Sequence, residues 1–211
     1  MKIHAAAVGV LLVLLATNAS AASAAKREAT LLKSRVQFSV PADWIEFRRN
    51  DSPAGGVIAY RIPNGPPTNP SANAVVTVRD AQDETLAGYA NSWIESSRLV
   101  HGAVVLSRFE KGNPATDVFV LYRIEQKGVP YLAADRYSGR GTLLLQVRIA
   151  WPVFPGNTEE WRRSVLSSSN HLLSDVILEG AVIGPLGILR EAEAVDSAAT
   201  IGSVEAVRAE K

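Results

Sequence analysis

Carboxylates that could act as a catalytic pair occur twice in the sequence, each time just before a helical pattern. The first group is Asp80, Asp83 and Glu84, and the second is Glu159 and Glu160. Two carboxyl groups held about 5–10 Å apart could hydrolyse a glycosidic bond. Acids in the first turn of a helix are also stabilised by the helix dipole, so capping accounts for both groups without catalysis.

The chain offers few histidines and no cysteine for catalysis or metal binding. Beyond residue 25 the histidines are His101 and His171, and there is no cysteine. Neither histidine lies in an H-E-x-x-H spacing, and thiolate ligands are excluded. A Ser-His-Asp triad needs only to meet in space, but no G-x-S-x-G elbow occurs. We therefore expect no catalytic residues, no metal and no cofactor.

The first 25 residues have the pattern of a secretory signal peptide. Lys2 precedes an apolar run over 5–16, and small residues follow at Ala19-Ser20-Ala21 and Ala22-Ser23-Ala24. The run is about 12 residues long, whereas a membrane-spanning helix needs about 20. We predict a cleaved signal peptide over 1–25, a periplasmic or secreted protein, and no transmembrane segment after cleavage. An uncleaved N-terminal anchor is the alternative.

Charge argues against nucleic acid as a partner. The chain has 22 basic and 21 acidic residues, and removal of 1–24 takes away Lys2 and no acid, which leaves 21 of each. A protein that binds phosphates is expected to carry a basic excess. Without cysteine there are no disulfides, so stability must come from a packed core.

Hydrophobic periodicity predicts one α+β domain over 26–178. Leu86, Tyr89, Ala90, Trp93 and Ile94 fall on one face of a helix that His101-Gly102 ends. The alternating segments predict strands over 36–40, 57–62, 74–78, 104–109, 118–125, 129–137 and 143–151. A second helix is predicted to end near Leu173. Short turns between the strands favour an antiparallel sheet of six to seven strands with two main helices packed on it, an α/β/α sandwich.

Two segments fall outside this pattern. Four prolines between Pro63 and Pro70 predict an irregular loop. Residues 179–211 are predicted to be an apolar linker followed by a low-complexity tail, because large apolar side chains become rare there.

The order of elements resembles that of the PsbP-like, Mog-like superfamily of small α/β/α domains. The segment Phe38–Trp44 matches an F-x-x-P-x-x-W pattern, and Thr85–Tyr89 matches T-L-x-x-Y. The strand Leu143–Trp151, then Phe154 and the helix over 161–173, complete the resemblance over residues 34–176. It implies a binding or assembly factor rather than an enzyme.

The tryptophans and arginines allow a binding groove. Trp44, Trp93, Trp151 and Trp161 all fit core positions, but one or two could line a groove between sheet and helices. The arginines that could then form its rim are Arg48, Arg49, Arg61, Arg136, Arg140 and Arg148.

We expect an exported, non-enzymatic binding or assembly factor of the bacterial cell envelope. Its partner would be another envelope protein or a small ligand. The residues assigned to the partner surface are Pro63, Pro66, Pro67, Pro70, Arg136, Arg140, Ile183 and Leu186. An envelope-directed hydrolase and an antagonist of a secreted toxin are the alternatives.

Overall fold

Strands form most of the regular structure in the computed structural model, which describes residues 25–63, 71–153 and 159–184. The strands are β1 (Lys26–Leu31), β2 (Val36–Pro41), β3 (Ile45–Ser52), β4 (Gly55–Ile62), β5 (Ala72–Asp80), β6 (Val104–Lys111), β7 (Asp117–Gln126), β8 (Val129–Arg140), β9 (Leu143–Pro152), β10 (Ile177–Leu178) and β11 (Ala181–Val182). The helices are α1 (Leu86–His101) and α2 (Glu159–Ser174).

The strands form two antiparallel sheets, so the predicted α/β/α sandwich is wrong. One sheet has four strands in the order β1-β2-β10-β11, and the other has seven in the order β3-β4-β5-β9-β8-β7-β6. The prediction placed β2 in the same sheet as β4 and β5. Instead β2 pairs with β1 on one side and β10 on the other. Two short helices complete a structure that is mainly β.

The seven-stranded sheet is covered differently on its two faces. One face carries Ile58, Tyr60, Val76 and Val147, which form a core with the inward side chains of β1, β2 and α2. The opposite face carries Val118, Val120, Tyr122 and Tyr137, which form a second core with α1. Both faces of β7, β8 and β9 are therefore buried, and these strands form the centre of the molecule.

Four strands in the described ranges were not predicted, namely β1, β3, β10 and β11. In β1 only Ala29 and Leu31 point inward, and in β3 no side chain is fully buried. β10 and β11 have two residues each, which is too short for a periodic pattern. The pairing of β1 with β2 supplies backbone hydrogen bonds that side-chain periodicity does not predict.

Gly55 lies where β4 approaches β5 too closely for a side chain. A Cβ at this position would be 2.9 Å from the backbone oxygen of Val78, an atom that cannot move without shifting β5. We expect Gly55→Ala to lower the free energy of unfolding by about 1–3 kcal/mol, measured by urea denaturation.

Gly139→Ala is the matched control for that substitution. A Cβ at Gly139 would meet Leu144 and Leu86 side chains no closer than 3.5 Å, which is ordinary contact. Equal stability of the two alanine variants would contradict the steric argument.

No helix within the described ranges is long and apolar enough to cross a membrane. The predicted signal peptide lies outside the described residues except for Ala25, and it stays a prediction. The same holds for the part of the predicted tail from residue 185 onward.

Candidate functional site

Helix α1 is fixed at both ends by its own sequence. The Thr85 hydroxyl accepts a hydrogen bond from the Gly88 N–H at 3.1 Å, which caps the first turn. Gly102 takes the left-handed conformation at the other end, with φ of 58°, and its N–H bonds to the Arg98 carbonyl. Between these ends α1 lies mainly on β7 and β8.

Because α1 covers only that part of the sheet, a groove remains between the helix and strands β3 to β5. Its volume is about 540 Å³, within the range of small-ligand sites. Asn50, Val57 and Thr77 lie side by side on its floor, since they are cross-strand partners in register. Tyr89 and Trp93 of α1 form the wall.

The wall presents two aromatic rings. The Tyr89 and Trp93 rings meet edge to face, with centroids 6.3 Å apart. Tyr89 is almost fully buried, and its hydroxyl is enclosed by the protein. Burial raises the pKa of Tyr89, so the hydroxyl stays neutral at physiological pH.

The charge of the groove is nearly balanced. Among the described residues that line the groove, Arg79 alone is charged, and its guanidinium lies 4.9 Å from the centre of the Tyr89 ring. Arg79 also forms a salt bridge with Glu84, the residue just before the cap of α1. The groove therefore favours a neutral ligand over a strongly charged one.

A buried ionic cluster lies beneath α1 beside the groove. The Asp135 side chain, fully buried, accepts hydrogen bonds from Tyr122 at 2.5 Å, Tyr137 at 2.7 Å and Gln146 at 2.9 Å. Arg148 donates to both carboxylate oxygens, each at 2.8 Å. A buried carboxylate with this many donors is satisfied rather than reactive.

The protonation states of the cluster follow from its geometry. Burial alone would raise the pKa of Asp135, but the charge of Arg148 and the hydrogen bonds to Arg148, Tyr122 and Tyr137 outweigh it and lower this pKa. Burial, together with the nearby Asp135 charge, raises the pKa of both Tyr122 and Tyr137. The cluster is thus a fixed ion pair with two neutral phenols.

The cluster also determines where α1 lies. Arg148 donates to the Ser97 hydroxyl of α1 at 2.9 Å, which ties the helix to β9. Gln146, a donor to Asp135, is the cross-strand neighbour of Thr77 on the groove floor. The floor and the helical wall of the groove are therefore both held by the same ion pair.

A second buried cluster lies on the opposite face of β8. Arg136 is 1 % exposed; it pairs with Asp117 at 2.7 Å, and Asp117 also accepts from the Ser138 hydroxyl at 2.6 Å. The same guanidinium donates to the carbonyls of Leu173, Ile183 and Gly184. Arg136 thereby fastens the end of α2 and the segment after β11 to the large sheet.

Several of the residues that were weighed for catalysis are engaged in ion pairs. Asp80 forms a salt bridge with Arg35 at 2.8 Å, and Glu84 forms one with Arg79. His171 pairs with the exposed Asp175, and His101 is the last residue of α1. No group of three or more His, Cys, Asp and Glu side chains in the described ranges could hold a metal ion.

Four of the residues assigned to a partner surface lie in the described ranges, and two of them are in contact, because Arg136 donates to the Ile183 carbonyl. Arg136 does not fit that assignment, because it is buried and satisfied by Asp117 and three carbonyls. Ile183 packs against the larger core, while Arg140 and Pro63 are exposed. Pro66, Pro67, Pro70 and Leu186 lie outside the described residues. Asp135, the residue before Arg136, is also buried, and it lies opposite Arg148 of β9.

Of the four tryptophans considered for a groove, Trp93 lines this one, whereas none of the six arginines considered for its rim is among its described lining residues. Trp44 and Trp151 are buried in the larger core, and Trp161 packs against it. Asn50, Thr77 and Tyr89 were missed as lining residues. The alternation in β5, with half-buried residues at 73, 75 and 77 facing α1, is the signal that could have found the floor.

Comparison with known proteins identifies no family. No family model matches the chain, and no curated protein matches it. One similar solved structure is PA94, a protein of unknown function from Pseudomonas aeruginosa, with 14% identity and a TM-score of 0.43. The match covers 68% of this chain and 93% of that one.

A second similar structure is LpqN of Mycobacterium tuberculosis, which is involved in cell envelope biogenesis. It has 15% identity and a TM-score of 0.43, and the match covers 67% of this chain and 81% of that one. Similarity this low does not establish a shared fold. The resemblance to the PsbP-like, Mog-like superfamily is not confirmed and stays a prediction.

Proposed function

We propose that this chain is an exported, non-enzymatic binding protein of the cell envelope, and that its ligand occupies the groove between α1 and strands β3 to β5. The observation that carries the proposal is the groove itself, with the Tyr89 and Trp93 rings as its wall. Export rests on the signal-peptide pattern of the first 25 residues.

The lining indicates the kind of ligand. Trp93 and Tyr89 offer aromatic surface, whereas Asn50, Thr77 and Ser96 offer amide and hydroxyl groups. With Arg79 paired to Glu84, an uncharged ligand with both an apolar face and hydroxyl or amide groups fits best. Neutral envelope glycans have this character.

The ionic cluster supports binding rather than turnover. Asp135 is fully enclosed, and its carboxylate is committed to Arg148 and three further donors. It holds the floor and wall in place before a ligand arrives, which lowers the entropy cost of binding.

Binding of a neutral glycan can be tested with N-acetylglucosamine tetrasaccharide as the probe. We expect a saturable heat of binding by isothermal titration calorimetry, and an affinity about tenfold or more weaker for Trp93→Ala, because the stacking surface is lost. Trp161→Phe, on α2, is the control and should bind as the parent does. Equal affinity of the Trp93→Ala variant, or binding only to an acidic oligosaccharide, would overturn the proposal.

A further inference from the structure

The outer edge of β6 leaves an apolar surface uncovered. β6 ends the seven-stranded sheet and pairs, within the described ranges, with β7 alone. Val104, Val105 and Leu106 are exposed, and Phe109 is 42 % exposed. A strand edge with free backbone groups and apolar side chains is a template for another strand.

The opposite edge of the same sheet is better protected. β3 also exposes apolar side chains, since Ile45 is 53 % and Phe47 54 % exposed. Its side chains are tied to the segment of β1, however, because Arg49 donates to the Thr30 carbonyl and Asp51 accepts from the Leu32 N–H. An added strand is therefore favoured at β6 rather than β3.

The charges on β6 are complementary to those of a second β6. Arg108 and Glu110 flank Phe109 and share one face of the strand, where they pair within the chain at 2.6 Å. In an antiparallel pair with Phe109 opposite itself, Arg108 of each copy lies across from Glu110 of the other. Opposite charges directly across an antiparallel ladder stabilise it.

We propose that two copies of this protein associate through antiparallel pairing of their β6 strands, with a two-fold axis at Phe109. The two seven-stranded sheets then form one continuous sheet, and the two exposed Phe109 rings cover each other. The interface is isologous, so it closes after two copies and does not propagate into fibres. The groove beside α1 is not involved, so this proposal is independent of the proposed ligand.

The register can be tested with single cysteines, because the chain has none of its own. Directly opposed residues have Cα atoms about 4.5–5.5 Å apart, within the range of a disulfide. Phe109→Cys should therefore form a covalent dimer under mild oxidation. Ser107→Cys is the control, since its counterpart would lie roughly 13 Å away along the strands. Failure of Phe109→Cys to cross-link, or equal cross-linking of both variants, would overturn the proposed register.

The dimer itself can be tested by sedimentation velocity on the full mature chain over a range of concentrations. We expect the parent chain to form a reversible dimer. The affinity of dimerisation should be about tenfold weaker or more for Arg108→Glu, and it should be restored in the double variant Arg108→Glu, Glu110→Arg. Arg98→Glu, which removes an exposed ion pair on α1, should leave the dimer unchanged. A monomer at all concentrations, or a chain that dimerises only after removal of residues 185–211, would overturn the proposal.

Discussion

Replacing Asp135 with asparagine is expected to lower the free energy of unfolding by about 3–5 kcal/mol, because it leaves a buried guanidinium without its counter-ion. The carboxylate is fully buried and accepts hydrogen bonds from Tyr122, Tyr137, Gln146 and Arg148. An asparagine amide cannot accept all of them, and its NH₂ group would oppose a donor. Urea denaturation followed by circular dichroism measures the change.

Two further variants separate the ion pair from its hydrogen bonds. Tyr122→Phe removes one donor and keeps the pair, so its cost should be smaller, about 1–3 kcal/mol. The double variant Asp135→Leu, Arg148→Met removes both charges together. It should be less destabilising than Asp135→Asn alone, because no unpaired charge remains buried. A double variant that is worse than the single one would show that the pair itself stabilises the fold.

The effect of Asp135→Asn should depend on pH in a defined direction. The pKa of Asp135 is lower in the folded protein than its ordinary value, so the ionised form stabilises the fold above pH about 3.9. That contribution is lost as the pH falls through the folded-state pKa. The stability difference between parent and variant should therefore be constant near neutral pH and shrink below pH about 4. A difference that grows in acid would contradict this assignment.

Replacing Arg136 with methionine is the second large change, with an expected loss of about 3–5 kcal/mol of unfolding free energy. It would leave Asp117 buried without its cation and three carbonyls, of Leu173, Ile183 and Gly184, without their donor. The methionine side chain fills similar space, so the loss reports the polar contacts rather than a cavity.

Hydrogen exchange can show where Arg136→Met acts. The backbone amides of β10 and β11 should exchange faster, because Arg136 fastens the chain just after β11 to the large sheet. Arg140→Met is the matched control, since Arg140 lies on the same strand and is exposed. Unchanged protection of β10 and β11 in Arg136→Met would refute the fastening role.

Local patterns predicted the helices and central strands well. The period of Leu86, Tyr89 and Ala90 identified the buried face of α1, and Gly102 ends the helix as expected. The alternation from Leu143 to Trp151 identified β9, which both cores bury. These elements could be predicted because their side chains repeat with the period of their own backbone.

The partner surface could not be predicted in the same way. Arg136 follows Asp135 in one strand, and the sequence analysis assigned Arg136 to an exposed partner surface. Instead the two residues point to opposite faces of a sheet that is buried on both sides, and each finds a different partner, Asp117 or Arg148. A charged residue in a strand is exposed or buried according to what covers that face, which the strand's own pattern does not specify.

The sequence by itself determined the nearly balanced charge of +1, the absence of cysteine, and the positions of α1 and the central antiparallel strands. Only the tertiary structure decided that β2 pairs with β1 in a separate sheet. It also decided that α1 covers only part of one face of the seven-stranded sheet, so that a groove remains beside the helix. It also decided that Arg35 reaches Glu179, 144 residues away. Local periodicity depends on neighbours in the chain. Sheet order and buried ion pairs depend instead on which surfaces, distant in the sequence, pack against each other and exclude water.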